Sequence, residues 1–195
     1  MTPYKVGYFV GSLAKASINR KLALALVRLA PKELELAEIP IKHLPLYSYD
    51  YDADFPVVAR AFKQAIASID AMLFVTPEYN RSIPGALKNA IDWGSRPAGK
   101  NSFARKPSAI IGTSPGALAT AIAQQHLRTI LNSCNSPQMI APEAYIRITR
   151  GLITDDGVVT NESTARFLRH YMAEFHAFIA ERSLAPAAAI EFAIA

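Results

Sequence analysis

A chain of 195 residues with 51% hydrophobic content can enclose a sizeable core in one domain and is short for two. The apolar stretch 6–10 is too brief for a secretory leader, and the runs ALALVRLA and AIASIDAMLFV are broken by Arg28 and Asp70, so a soluble, cytoplasmic protein without a spanning helix is expected. The net charge of +5 is scattered in ones and twos among acids, which argues against a basic nucleic-acid stripe and leaves small anionic ligands or a merely basic surface.

In chain order, YKVGYFV (4–10) reads as a buried strand and INRKLALALVRLA (18–30) as an amphipathic helix. Residues 33–39 alternate like a second strand. The segment HLPLYSYDYDADFP (43–56) is too rich in Pro, Tyr and Asp for either element and leads into a helix over 57–68. DAMLFVT (70–76) has the continuous apolar run of a central strand. A helix over 84–93 follows, with Pro84 near its first turn, then a strand at 108–113 and a helix over 117–133. A fifth strand is expected near QMIAPEAYI, and a last helix over 161–182. Strand and helix alternate five times, which predicts a parallel sheet covered on both faces: an α/β, flavodoxin-like three-layer sandwich with strand order 2-1-3-4-5. One such domain is expected over 1–183, with an Ala-rich, loosely tied tail over 184–195.

In this order the switch point lies between the first and third strands, where open α/β sheets hold ligands. The first strand empties into GSLAKASINRKLA (11–23). Gly11 permits a sharp turn; Ser12, Ser17 and Asn19 are short polar groups and Lys15 a charge, all ahead of a helix N-terminus. Two readings fit equally: a phosphate cradle, or an ordinary loop with Ser17 as N-cap. The glycine spacing matches neither the dinucleotide nor the triphosphate fingerprint, so a mononucleotide phosphate is the better guest. The third strand ends in TPEYNRSIPGALKNAIDW (76–93), whose Pro77, Glu78, Tyr79 and Asn80 suit a flat ring with polar edges. A third loop, GTSPGAL (112–118), brings Ser114 and Gly116 alongside, or simply caps the next helix.

GSLAKASINRKLA and TPEYNRSIPGALKNAIDW together closely resemble the NAD(P)H-dependent FMN reductase family, which includes quinone, chromate and azo reductases, over about residues 4–180. The resemblance implies non-covalent FMN, NADPH or NADH as co-substrate, a small-molecule electron acceptor and a homodimer or homotetramer. It carries the phosphate onto Ser12, Lys15, Ser17 and Asn19, and the flavin ring onto Pro77, Glu78, Tyr79, Asn80 and Ser114. Lys15 stands where the family often has arginine, so the charge is kept without the planar fork. No side-chain acid or nucleophile is required, because the flavin carries the chemistry; Glu78 is expected to orient its own turn, and Tyr79 to cover the ring or the core.

The rival reading is a flavodoxin-type electron carrier, which would share fold and FMN; such carriers are typically acidic, and this chain is basic. A flavin-free interaction module is a third. His43, His126, His170 and His176 share no metal-ligand spacing, and the single cysteine, Cys134, reads as a packing residue at a helix end. Trp93 is expected either at a subunit interface or in the protein's own core.

Overall fold

The computed structural model describes residues 2–184. Beyond Leu184 itself, the expected tail lies outside the described residues. The elements run β1 (Tyr4–Val10), α1 (Ile18–Leu29), β2 (Leu34–Glu38), α2 (Val57–Ala67), β3 (Ala71–Val75), α3 (Gly85–Ser95), β4 (Ser108–Ser114), α4 (Ala121–Ser133), β5 (Tyr145–Arg147) and α5 (Glu162–Leu184). All pairings are parallel and the strand order is β2-β1-β3-β4-β5, the flavodoxin-like order the alternation predicts.

The period of two along each strand divides the core into two layers. Val6, Tyr8 and Val10 of β1, with Leu73 and Val75 of β3 and Ala109 and Ile111 of β4, face Leu22 and Leu26 of α1 and Leu168, Met172 and Phe175 of α5. Phe9, Met72, Phe74 and Ile110 face the other way, onto Phe62 and Ile66 of α2, Leu87 and Ile91 of α3, and Leu127 and Leu131 of α4. Phe9 and Phe74 stack across neighbouring strands with centroids 4.9 Å apart. Because both faces are covered, the central strand β3 is apolar and buried throughout, whereas β2, at the sheet edge, alternates exposed with buried or half-buried residues.

Trp93 belongs to the protein's own core. It is fully buried, its Nε1 donates to Pro45 O at 2.7 Å, and Tyr47 and Phe55 meet its indole edge to face. Asn89, one turn earlier on α3, donates to the same carbonyl at 2.9 Å and accepts from Tyr47 N at 2.9 Å. The irregular segment 43–56, which contains a single 3-10 turn at Tyr49–Tyr51, is thereby pinned across α3. Cys134 is buried at the end of α4, as a packing residue should be.

Two expectations need correction. α4 begins at Ala121, four residues later than expected, because 117–120 form a turn in which Ala119 has φ +46°. The fifth strand is only three residues long; Pro142 lies in the stretch before it, which pairs through one isolated bridge, Ser108 to Gln138. Between β5 and α5 a small hairpin-like excursion, bridged Ile153 to Val159, packs on α1, and a Cβ on Gly157 would lie 2.7 Å from Leu24.

Candidate functional site

Parallel pairing sets the carboxyl ends of β1, β3 and β4 side by side, and their three loops converge there. Gly11 N donates to Val75 O at 2.9 Å, joining the first loop to the end of β3, and Thr76 N donates to Ile111 O at 3.0 Å, joining the second to the end of β4. The approach is close enough that only glycine fits in two places. A Cβ on Gly11 would lie 2.9 Å from Thr76 Oγ1, and one on Gly112 would lie 2.1 Å from Thr76 O.

In the first loop Ser17 is the N-cap of α1, its hydroxyl accepting from Arg20 N at 3.2 Å. Ser12 Oγ accepts from Ala14 N at 3.4 Å. Both hydroxyls are nearly buried and each keeps its own proton to donate. Lys15 is exposed at the loop's tip. Arg20 turns to Glu38 in a bidentate pair at 2.7 and 2.9 Å, so Lys15 is left as the cation of the loop itself. Asn19 differs from the expectation of a phosphate donor: it points inward and is 1% exposed. Its Nδ2 donates to Thr113 O at 2.9 Å and its Oδ1 accepts from Thr113 N at 3.0 Å. This pair clamps the start of α1 to the end of β4, so Asn19 shapes the cradle from behind.

In the second loop Tyr79 N donates to Ser82 O at 2.9 Å and Ser82 N to Tyr79 O at 3.0 Å, closing a tight turn whose central residues both have positive φ, Asn80 at +50° and Arg81 at +64°. That is a type I′ turn, in which Asn at the first position is favoured and Gly at the second is usual. Tyr79 is half exposed, so it stands out from the core and does not cover it. Glu78 does more than orient its own turn. Its carboxylate, 7% exposed, accepts from Ile122 N at 3.1 Å and Ala123 N at 3.0 Å, while Arg81 sits on its other oxygen at 3.0 Å. A buried anion therefore caps α4 from a different loop, where the helix N-terminus favours it. Thr120, the residue at the N-cap position, makes no side-chain cap of its own.

The third loop turns on Ser114, whose Oγ accepts from Gly116 N at 3.1 Å. Thr113 is buried and donates to Ile146 O at 2.8 Å, so it fixes β5 to the site. Between the second and third loops lies a cleft of about 480 Å³, lined by Glu78, Asn80, Arg81, Ser114 and residues 116–119. Pro77, Glu78, Tyr79, Asn80 and Ser114 thus gather at one sheet edge with Ser12, Lys15 and Ser17.

This donor set fits FMN. Hydroxyls, a lysine and a helix N-terminus at one end suit a phosphate, and a glycine-tight ledge beside a cleft at the other suits a planar ring. Arg81 lines the cleft, and Gly112 and Thr113 of the third loop form its back through their close contacts with Thr76 and Asn19. The sequence marks these contacts only weakly, through an Asn-Arg pair in a turn and a glycine within a buried strand.

Comparison with known proteins agrees with this geometry. Residues 4–149 match the family model described as NADPH-dependent FMN reductase. The chain is 49% identical over 178 residues to a 2-hydroxy-1,4-benzoquinone reductase of Burkholderia sp, covering 91% of this chain and 97% of that protein. It is 45% identical over 177 residues to a quinone reductase of Pseudomonas putida, covering 90% and 95%. Among solved structures, FerB of Paracoccus denitrificans, described as a flavoenzyme NAD(P)H:(acceptor) oxidoreductase, superposes with a TM-score of 0.88 at 44% identity, covering 92% of this chain and 98% of that one. Sequence, fold and the placement of the three loops lead to one assignment: the chain belongs to the NADPH-dependent FMN reductase family.

Proposed function

We propose that the protein is an FMN-dependent NAD(P)H oxidoreductase that reduces quinones. The observation that carries this reading is the convergence of a phosphate-type loop, a ring-type turn and an open cleft on one edge of the sheet. Lys15, the hydroxyls of Ser12 and Ser17 and the first N–H groups of α1 hold the phosphate, and Asn19 sets the curvature of that loop through Thr113. Pro77, Glu78, Tyr79 and Asn80 of the second loop and Ser114 of the third would hold the ring. FMN held there would supply two-electron transfer between a reduced nicotinamide and a second substrate. The chain's own contribution is positioning and electrostatics: the N–H groups of Glu78 and Asn80, which stand outside the Tyr79–Ser82 bonds of the turn, and the Arg81 guanidinium on the cleft wall favour negative charge on a ligand beside them.

The names of the relatives at 49% and 45% identity support a quinone as acceptor. Azo, nitro, chromate and flavin acceptors are the wider class open to an accessible ring. The exposed apolar side chains Leu46, Tyr49 and Val57, at 84%, 74% and 73%, support a homodimer or homotetramer that covers the 43–58 face. A monomeric sedimentation coefficient at micromolar concentration would contradict this. No helix among the described residues is long and apolar enough to cross a membrane. We place the enzyme in the cytoplasm, where reduced nicotinamide is supplied; cell fractionation checks the placement.

The phosphate assignment has a direct test. FMN is expected to bind on the order of a hundredfold more tightly than riboflavin, and Lys15→Ala to remove about tenfold of that preference, as charge-assisted bonds of this kind imply. Equal affinity for the two flavins, read by quenching of flavin fluorescence, would show that the first loop does not hold a phosphate.

A further inference from the structure

We propose that Arg81 selects acceptors carrying an ionised oxygen, such as the enolate of a hydroxyquinone, over neutral quinones of the same shape. The inference rests on the oxidoreductase reading above. Its starting point is a backbone conformation. Arg81 has φ +64° at the position of a type I′ turn where glycine is usual, and a Cβ-bearing residue there is strained. The chain accepts that strain and places a guanidinium on the wall of the cleft.

The charges around it are unevenly spent. Arg81 and Glu78 are the only ionisable residues lining the cleft; Asn80, Ser114 and residues 116–119 are neutral. Glu78 does not cancel Arg81, because one carboxylate oxygen is taken by Ile122 N and Ala123 N at the positive end of α4. The other oxygen meets a single Arg81 nitrogen, Nη1, at 3.0 Å. The guanidinium is 67% exposed and has further N–H donors in a planar fork. The helix end and the arginine together outweigh one carboxylate, so a second anion is accommodated beside the ring site. A hydroxyquinone is a vinylogous acid whose anion carries charge on the hydroxyl-derived oxygen, and that oxygen lies next to a carbonyl oxygen, so a guanidinium can donate to both at once. Its reduction balances as hydroxyquinone anion plus NAD(P)H plus two protons giving the neutral triol and NAD(P)⁺. The 2′-phosphate of NADPH is the other anion available to the same arginine, and the experiment separates the two.

The test compares the FMN-loaded protein with its Arg81→Gly and Arg81→Lys variants. Each is assayed on a hydroxyquinone and on its O-methyl ether, which is neutral and of similar shape. Arg81→Gly is expected to lower kcat/KM for the ionised acceptor by roughly tenfold or more, the scale of one lost charge-assisted contact, and to leave the ether unaffected. The melting temperature is not expected to fall, because glycine relieves the positive φ. Arg81→Lys restores part of the discrimination. Equal losses on both acceptors would overturn the proposal. So would a loss confined to NADPH with NADH unchanged, which would assign Arg81 to the donor's phosphate, or a shifted flavin potential or weakened FMN affinity, which would assign it to the flavin. Failure of the unsubstituted protein to reduce either quinone would instead overturn the oxidoreductase reading, and this one with it.

Discussion

Glu78→Ala is expected to destabilise the protein by about 2–3 kcal/mol, well beyond the loss of an ordinary surface ion pair. The reason lies in where its bonds go. One oxygen accepts two backbone N–H groups of α4, and Thr120 at the N-cap position supplies no side-chain cap. Removing it leaves two donors at a partly buried helix end without their acceptor and severs the tie between the 77–82 turn and α4. Glu78→Gln keeps an acceptor oxygen for α4 but loses the charge and the acceptor for Arg81, so its cost is expected to be about 1 kcal/mol. FMN affinity should follow the same order, since the turn that Glu78 anchors is the proposed ledge for the ring. Urea unfolding and flavin fluorescence titration on both variants check this. A Glu78→Ala protein as stable as the parent would show that the capping bonds carry no energy.

Gly112→Val is expected to be the more damaging change, costing about 3 kcal/mol or more through overpacking. A Cβ there would lie 2.1 Å from Thr76 O and 2.5 Å from Thr120 Oγ1. Thr76 has little freedom to retreat, because its N–H is bonded to Ile111 O and its hydroxyl to Pro77 O. The ends of β3 and β4 must then separate, and both ring-binding loops move with them. Gly85→Ala is the matched control: nothing lies within 4 Å of a Cβ at Gly85, in the first turn of α3, so alanine should be neutral or mildly stabilising. If the valine variant unfolds at the same urea concentration as the alanine control, the close approach of Gly112 to Thr76 is not a constraint.

The contrast between these two residues marks what could be read from the chain beforehand. Strands such as Ala71–Val75 and helices such as Ile18–Leu29 are written in local periodicity, and the alternation of the two sufficed for the sheet order. Loops 11–23 and 76–93 stand out as candidate ligand loops because their short polar residues follow a strand and precede a helix, although 11–23 alone reads equally as an ordinary capped loop. What escaped depends on partners far along the chain. α4 starts late because its cap comes from Glu78, some forty residues earlier, and Asn19 turns inward because its amide matches the backbone of Thr113, 94 residues away. Nothing local distinguishes Gly112 from other glycines, because its constraint is Thr76 O on the neighbouring strand's end. Trp93 had two expected settings, and its choice of the core follows from a carbonyl, Pro45 O, in a loop that periodicity describes only as irregular.

The central claim is that this sheet edge holds a flavin accessible to nicotinamide. The most direct measurement is anaerobic mixing of the FMN-loaded protein with NADPH, and separately NADH, while the visible absorbance of the oxidised flavin is followed. Rapid loss of that absorbance, followed by its return on adding a quinone, is the predicted result. Bound flavin that stays oxidised with both donors would contradict the account and leave an electron carrier as the better description of the same fold.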